Sequence, residues 1–120
     1  MKLRISVATA FLLILSAGMY SAQAQSTVYW DVNGNTAGGG PDGGGFYGGI
    51  WGTDPFWSTD PNGNAATNAW VPGDNAVFSA GTDLAADGIV TITGTQTAAS
   101  IVIEDGRVQF RGGTADTGAG

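Results

Sequence analysis

The chain has 120 residues, no cysteine, no histidine, and ten acids against four bases. That inventory excludes thiolate zinc sites, cysteine nucleophiles, disulfide staples and imidazole acid–base chemistry. It also excludes a basic stripe for nucleic acid, because only Arg107 and Arg111 lie beyond residue 4.

Met1-Lys2-Leu3-Arg4 sets two positive charges ahead of an apolar run, Ile5 to Leu15, broken only by Ser6 and Thr9. Ala22-Gln23-Ala24 then places small residues where a signal peptidase reads them, so residues 1–24 are expected to be a cleaved secretory signal with Gln25 first in the mature chain. The run is short for a membrane span. Cleavage removes Lys2 and Arg4, leaving two bases against ten acids and a net charge of −8. Such a balance favours solubility and self-repulsion. A small exported domain without disulfides needs another source of stability, such as a longer stack of structure.

Residues 25–70 form an aromatic, Gly-rich zone. Thr27 to Val32 carries strong β-formers and reads as a strand. From Gly34 to Gly52, 10 of 19 residues are glycine, and the entropy cost of ordering them predicts a loop. Ile50-Trp51 and Phe56-Trp57 are apolar islands within the zone, while Asp54-Pro55, Asp60-Pro61 and Asn62-Gly63 are turn signals.

Residues 71–114 alternate short β-branched runs with Gly, Asp and Thr turns. Strands are expected at 76–79, 89–93, 99–103 and 107–110. Period-two alternation puts Val90, Ile92, Ile101, Ile103, Val108 and Phe110 on one face, with Thr91, Thr93, Gln109 and Arg111 on the other. This rhythm fits an all-β chain, built either as a β-sandwich or as a solenoid. Residues 115–120 read as a small, polar, truncated tail.

An ordered series of motifs narrows the choice. Tyr29-Trp30-Asp31-x-Asn33-Gly34 is followed by spaced tryptophans. Then come Gly73-Asp74-x-Ala76-Val77-Phe78-Ser79-Ala80-Gly81-Thr82-Asp83, Thr91-Ile92-x-Gly94-Thr95-Gln96-Thr97-Ala98-x-Ser100-Ile101 and Glu104-x-Gly106-x-Val108-x-Phe110-x-Gly112-Gly113-Thr114. Over residues 28–114 the chain resembles the N-terminal part of autotransporter-associated β-strand repeat passengers. The resemblance implies a right-handed parallel β-helix of stacked coils, exported and displayed at a cell surface, with an aromatic, Gly-rich N-terminal cap over residues 25–70 and the first repeats at 71–114. The 120 residues hold no run of later repeats, no C-terminal barrel and no sorting tail.

Site candidates are few. Asp31, Asn33, Asn35 and Asp42 place oxygen ligands at positions 1, 3, 5 and 12 of a calcium-loop spacing, but Thr36 stands where the sharp turn needs Gly. Asp and Asn beside Gly also make Asx turns, and Asp60-x-Asn62 repeats the pattern. Trp30, Trp51, Trp57 and Trp70, with Tyr29, Phe46, Tyr47 and Phe56, could stack on sugar rings or fill the core of a cap. Glu104 and Asp105 are adjacent, which in a strand sends them to opposite faces, so no carboxylate pair faces one cleft. No catalytic residues and no obligatory cofactor are expected.

The composite expectation is a non-catalytic display module handled by the export machinery through its signal. It is placed at the cell surface, at the outer membrane or outside the cell, with no transmembrane segment in the mature chain. Its contacts would be a surface glycan or a host or neighbouring cell. The alternative is a secreted carbohydrate-binding β domain.

Overall fold

The computed structural model describes residues 24–41, 47–82 and 87–112. Residues 1–23, where a signal was expected, Asp42, Phe46, Asp83 and the tail from residue 113 lie outside the described residues. Among those described there are seven strands and no helix, and thus no helix long and apolar enough to cross a membrane. The strands are β1 (Thr27–Trp30), β2 (Tyr47–Trp51), β3 (Trp57–Ser58), β4 (Asn75–Phe78), β5 (Asp87–Ile92), β6 (Ser100–Ile103) and β7 (Arg107–Gly112).

They form two open sheets, ordered β3-β1-β4-β6 and β2-β5-β7. Within each sheet β1, β4 and β6, or β2, β5 and β7, run parallel; β3 alone is antiparallel, to β1. The chain therefore crosses from one sheet to the other after β1, β2, β4, β5 and β6. Asn75 stands opposite Ser100, 25 positions later, and Asp87 opposite Arg107, 20 positions later. Parallel neighbours need crossover connections, and here a strand of the other sheet supplies each crossover. The β-strand content expected from the sequence is present, with boundaries shifted by one or two residues.

One sequence expectation is overturned. The stretch from Gly34 to Gly52 is not loop throughout, because Tyr47–Trp51 pairs in register with Gly88–Ile92 as β2. Glycines 48 and 49 do not break this strand, since close packing occupies the space a side chain would need. A Cβ on Gly49 would stand 2.8 Å from atoms of both the Trp30 and Phe56 rings, and its φ of +147° is one that L side chains rarely adopt.

Strict pairing sets side chains in rows. One sheet aligns Val28, Ala76 and Ile101, with Trp30, Phe78 and Ile103 alongside; the other aligns Gly49, Val90 and Phe110, and Tyr47, Gly88 and Val108. These rows meet between the sheets. Trp51 of β2 lies 5.7 Å from Phe78 of β4 by ring centroids, and Phe78 lies 5.2 Å from Phe110 of β7. Trp30, Tyr47, Trp51, Trp57, Phe78 and Val90 are fully buried there. Aromatic rings thus supply most of the buried area in a chain poor in leucine.

Loop backbone closes the far end of the first sheet. Asp31 N–H donates to Phe56 O at 2.9 Å, Val32 N–H to Gly39 O at 3.1 Å, and Ala80 N–H to Trp30 O at 3.0 Å. Together with β3, these bonds leave little of the β1 edge open. The opposite edge, β6, has no strand beside it among the described residues.

Candidate functional site

The end of the molecule that carries β6 and β7 differs from the rest. Ala76 and Phe78 are fully buried, yet Ile101 and Ile103, which continue their rows, are 52% and 49% exposed. Val102 is exposed as well, and Val108 and Phe110 in the second sheet are only half-buried. Among the described residues both sheets therefore finish at the same end, with unpaired edges and partly covered apolar rows. Such an edge is a template for further strand pairing. Its charged groups are sparse: Glu104 is exposed at the β6–β7 turn, and Arg107 forms an exposed bidentate pair with Asp87 at 2.6 and 2.7 Å. A solvent-exposed pair of that kind adds little stability.

The tryptophans are placed otherwise than a sugar platform needs. Trp30, Trp51 and Trp57 are at most 1% exposed, and only Trp70 is half-buried. Trp30 packs edge-on against Phe56 and Trp57, with centroids 5.6 and 5.0 Å apart, and Trp51 packs edge-on against Trp70 at 5.0 Å. No sugar ring reaches three of the four indoles in this arrangement. None of the four indole N–H groups has a hydrogen-bond partner among the described residues.

The calcium spacing resolves into local turns. Asp31 is fully buried and its Oδ1 accepts the Asn33 N–H at 3.1 Å; Asp60 Oδ1 accepts the Asn62 N–H at 2.8 Å. Both are Asx turns. Asn35 is exposed, and Asp42 is outside the described residues. No group of three or more acidic residues able to hold a metal ion occurs among the described residues.

Glu104 and Asp105 sit in the turn between β6 and β7, where Asp105 Oδ1 accepts the Gly106 N–H at 3.0 Å. Arg107 and Arg111 point from β7 into the exposed outward row with Gln109, and Arg111 donates to Gln109 Oε1 at 2.9 Å. No carboxylate faces another across a cleft in this set.

Two further residues take on definite roles in the structure. Tyr47 is 1% exposed, its hydroxyl has no partner among the described residues, and burial, aided by Asp105 and Asp87, pushes its pKa up to about 12. It therefore stays neutral at any physiological pH and serves as core. Asp74 is 7% exposed and lines a cleft of about 270 Å³ with Ala24, Gln25, Ser26, Val71, Pro72 and Gly73. The only hint of Asp74 in the sequence was its place in the Gly73-Asp74 string.

Comparison of the chain with protein-family models, with curated proteins and with solved structures returned no match.

Proposed function

We infer that the chain is the N-terminal start of an exported β-solenoid passenger, a non-catalytic module whose work is extension and display at a cell surface. One observation carries this reading. Apart from β3, successive strands enter the two sheets alternately and run parallel to their neighbours, and the inward rows largely buried in β4 and β5 are exposed in β6 and half-buried in β7. A solenoid coil cannot bury its own interior, since its neighbours above and below do so. The first coil here carries β3 and the aromatic loops, as a cap would, and the last presents a surface shaped for another coil. The motif series from Tyr29 to Phe110 and the secretory layout of residues 1–24 point the same way. Burial of Trp30, Trp51 and Trp57 weighs against the carbohydrate-binding alternative.

The test uses whole cells. Protein recovered from the producing cell should begin at Gln25, and protease added to intact cells should degrade it. Recovery from the cytosol with Met1 in place, untouched by external protease, would refute the display reading.

A further inference from the structure

We propose that the cleft beside Asp74 is a seat for the chain terminus created by leader removal, in which the Gln25 ammonium pairs with the Asp74 carboxylate. The proposal rests on the reading of residues 1–24 as a cleaved leader.

Asp74 is more than nine-tenths buried, and no Lys or Arg pairs with it; the ion pair found among the described residues joins Arg107 to Asp87. A buried carboxylate without a cation is costly unless some group compensates it. The first strand runs directly past it. Ser26 N–H donates to Asp74 Oδ1 at 2.9 Å, and Asn75 N–H donates back to Ser26 O at 2.8 Å. Residue 25 is thus held at the mouth of the cleft, and its nitrogen is one residue along the chain, at most about 3.6 Å, from the bonded Ser26 nitrogen. The far wall is fixed independently: Gly73 N–H donates to Thr97 O at 2.7 Å and Ala99 N–H to Asp74 O at 2.9 Å.

While the leader is attached, residue 25 offers this cleft only a neutral amide. Hydrolysis of the Ala24–Gln25 bond consumes one water. The new carboxylate departs on Ala24, and the Gln25 nitrogen takes up a proton to become an ammonium. The charge therefore appears next to a mostly buried acid that has no Lys or Arg beside it, and it fastens the first strand to the fourth only after processing. A competing reaction has the opposite effect. If the unprotonated amine attacks its own side-chain Cδ and expels ammonia, the terminus becomes a neutral lactam. Pairing with Asp74 holds the amine protonated and suppresses that attack.

The mature chain makes the test clean, because Lys2 is the only lysine and the α-amine is then the only primary amine. Protein recovered from the exporting cell is weighed and then treated with an amine-acylating reagent, folded and in urea, with modification followed by mass spectrometry. The seat predicts acylation of the folded chain slower by about tenfold, the effect of one unit on an amine pKa. Asp74→Asn should bring the folded rate up to the urea rate. A second variant that starts one residue earlier, at Ala24, keeps Asp74 but moves the amine out of the seat, and it should react at the urea rate too. An intact Gln25 amine that reacts equally fast folded and unfolded overturns the seat while leaving the leader reading standing. A terminus already converted to the lactam also overturns it. A recovered chain that begins elsewhere removes the leader reading itself, and the seat with it.

Discussion

Gly88→Ala should cost the chain about 3 kcal/mol or more, at the upper end of what overpacking a core does. A Cβ at residue 88 would collide with Tyr47 Cζ and stand 2.5 and 2.6 Å from its two Cε atoms. The ring lies across the backbone of β5 where the inward row needs a side chain of no size. Tyr47 cannot swing away, being 1% exposed and enclosed by the core. Gly112→Ala is the matched control, since no atom lies within 4 Å of a Cβ there. It should change stability by less than about 0.5 kcal/mol, as most substitutions away from packed sites do. In a Tyr47→Ala background, Gly88→Ala should cost little, giving a coupling energy of about 3 kcal/mol between neighbours. Urea midpoints for the four chains measure the cycle. Additive effects would mean that Tyr47 does not lie over Gly88.

Trp30→Ala should be the most damaging single truncation, at about 3–5 kcal/mol for a large aromatic removed from a packed core. Trp30 touches Phe56, Trp57 and Phe78 with ring centroids 5.6, 5.0 and 5.5 Å away, and it joins the capping strand β3 to the rows of the first sheet. Small domains hold only about 5–15 kcal/mol in total, so a chain with β6 and β7 unpaired on one side among the described residues should unfold outright. Trp70→Ala removes a half-buried ring at the margin of the cluster and should cost clearly less. Circular dichroism melts of the two variants separate the outcomes. Equal losses would contradict a core centred on Trp30.

The comparison of sequence with structure turns on where packing, rather than pattern, decided the local conformation. Strands β5, β6 and β7 were legible because β-branched and aromatic residues alternate with polar ones, and the inward set Val90, Ile92, Ile101, Ile103, Val108 and Phe110 follows from period two. Strand β2 was not legible. Its Tyr-Gly-Gly-Ile-Trp sequence has the composition of a loop, and it becomes a strand because Trp30 and Phe56 occupy the space above Gly49. Trp30 and the paired strand β5 lie far away in sequence, so no local window contains the information.

The candidate site divides in the same way. Asx turns at Asp31 and Asp60 were readable from spacing. Burial of three tryptophans was one of two readings, and only tertiary contacts choose between them. Asp74 was hidden further, because its meaning depends on Ser26, 48 positions earlier. The open end at β6 and β7 could not be read from side-chain pattern at all: Ile101 and Ile103 have the same inward phase as Ala76 and Phe78, and only strand order leaves them uncovered.

The strand order itself is the point on which everything else depends, and paired cysteines test it directly in a chain that has none. Asn75 and Ser100 lie side by side on adjacent parallel strands, with Ser100 Oγ donating to Asn75 Oδ1 at 2.7 Å. Asn75→Cys with Ser100→Cys should therefore close a disulfide on mild oxidation, within the usual Cα separation of about 4.4–6.8 Å. Val102→Cys with Val108→Cys should stay reduced, because β6 and β7 belong to different sheets. If Val102 and Val108 cross-link and Asn75 and Ser100 do not, then β6 and β7 form a hairpin, and the alternating parallel arrangement is wrong.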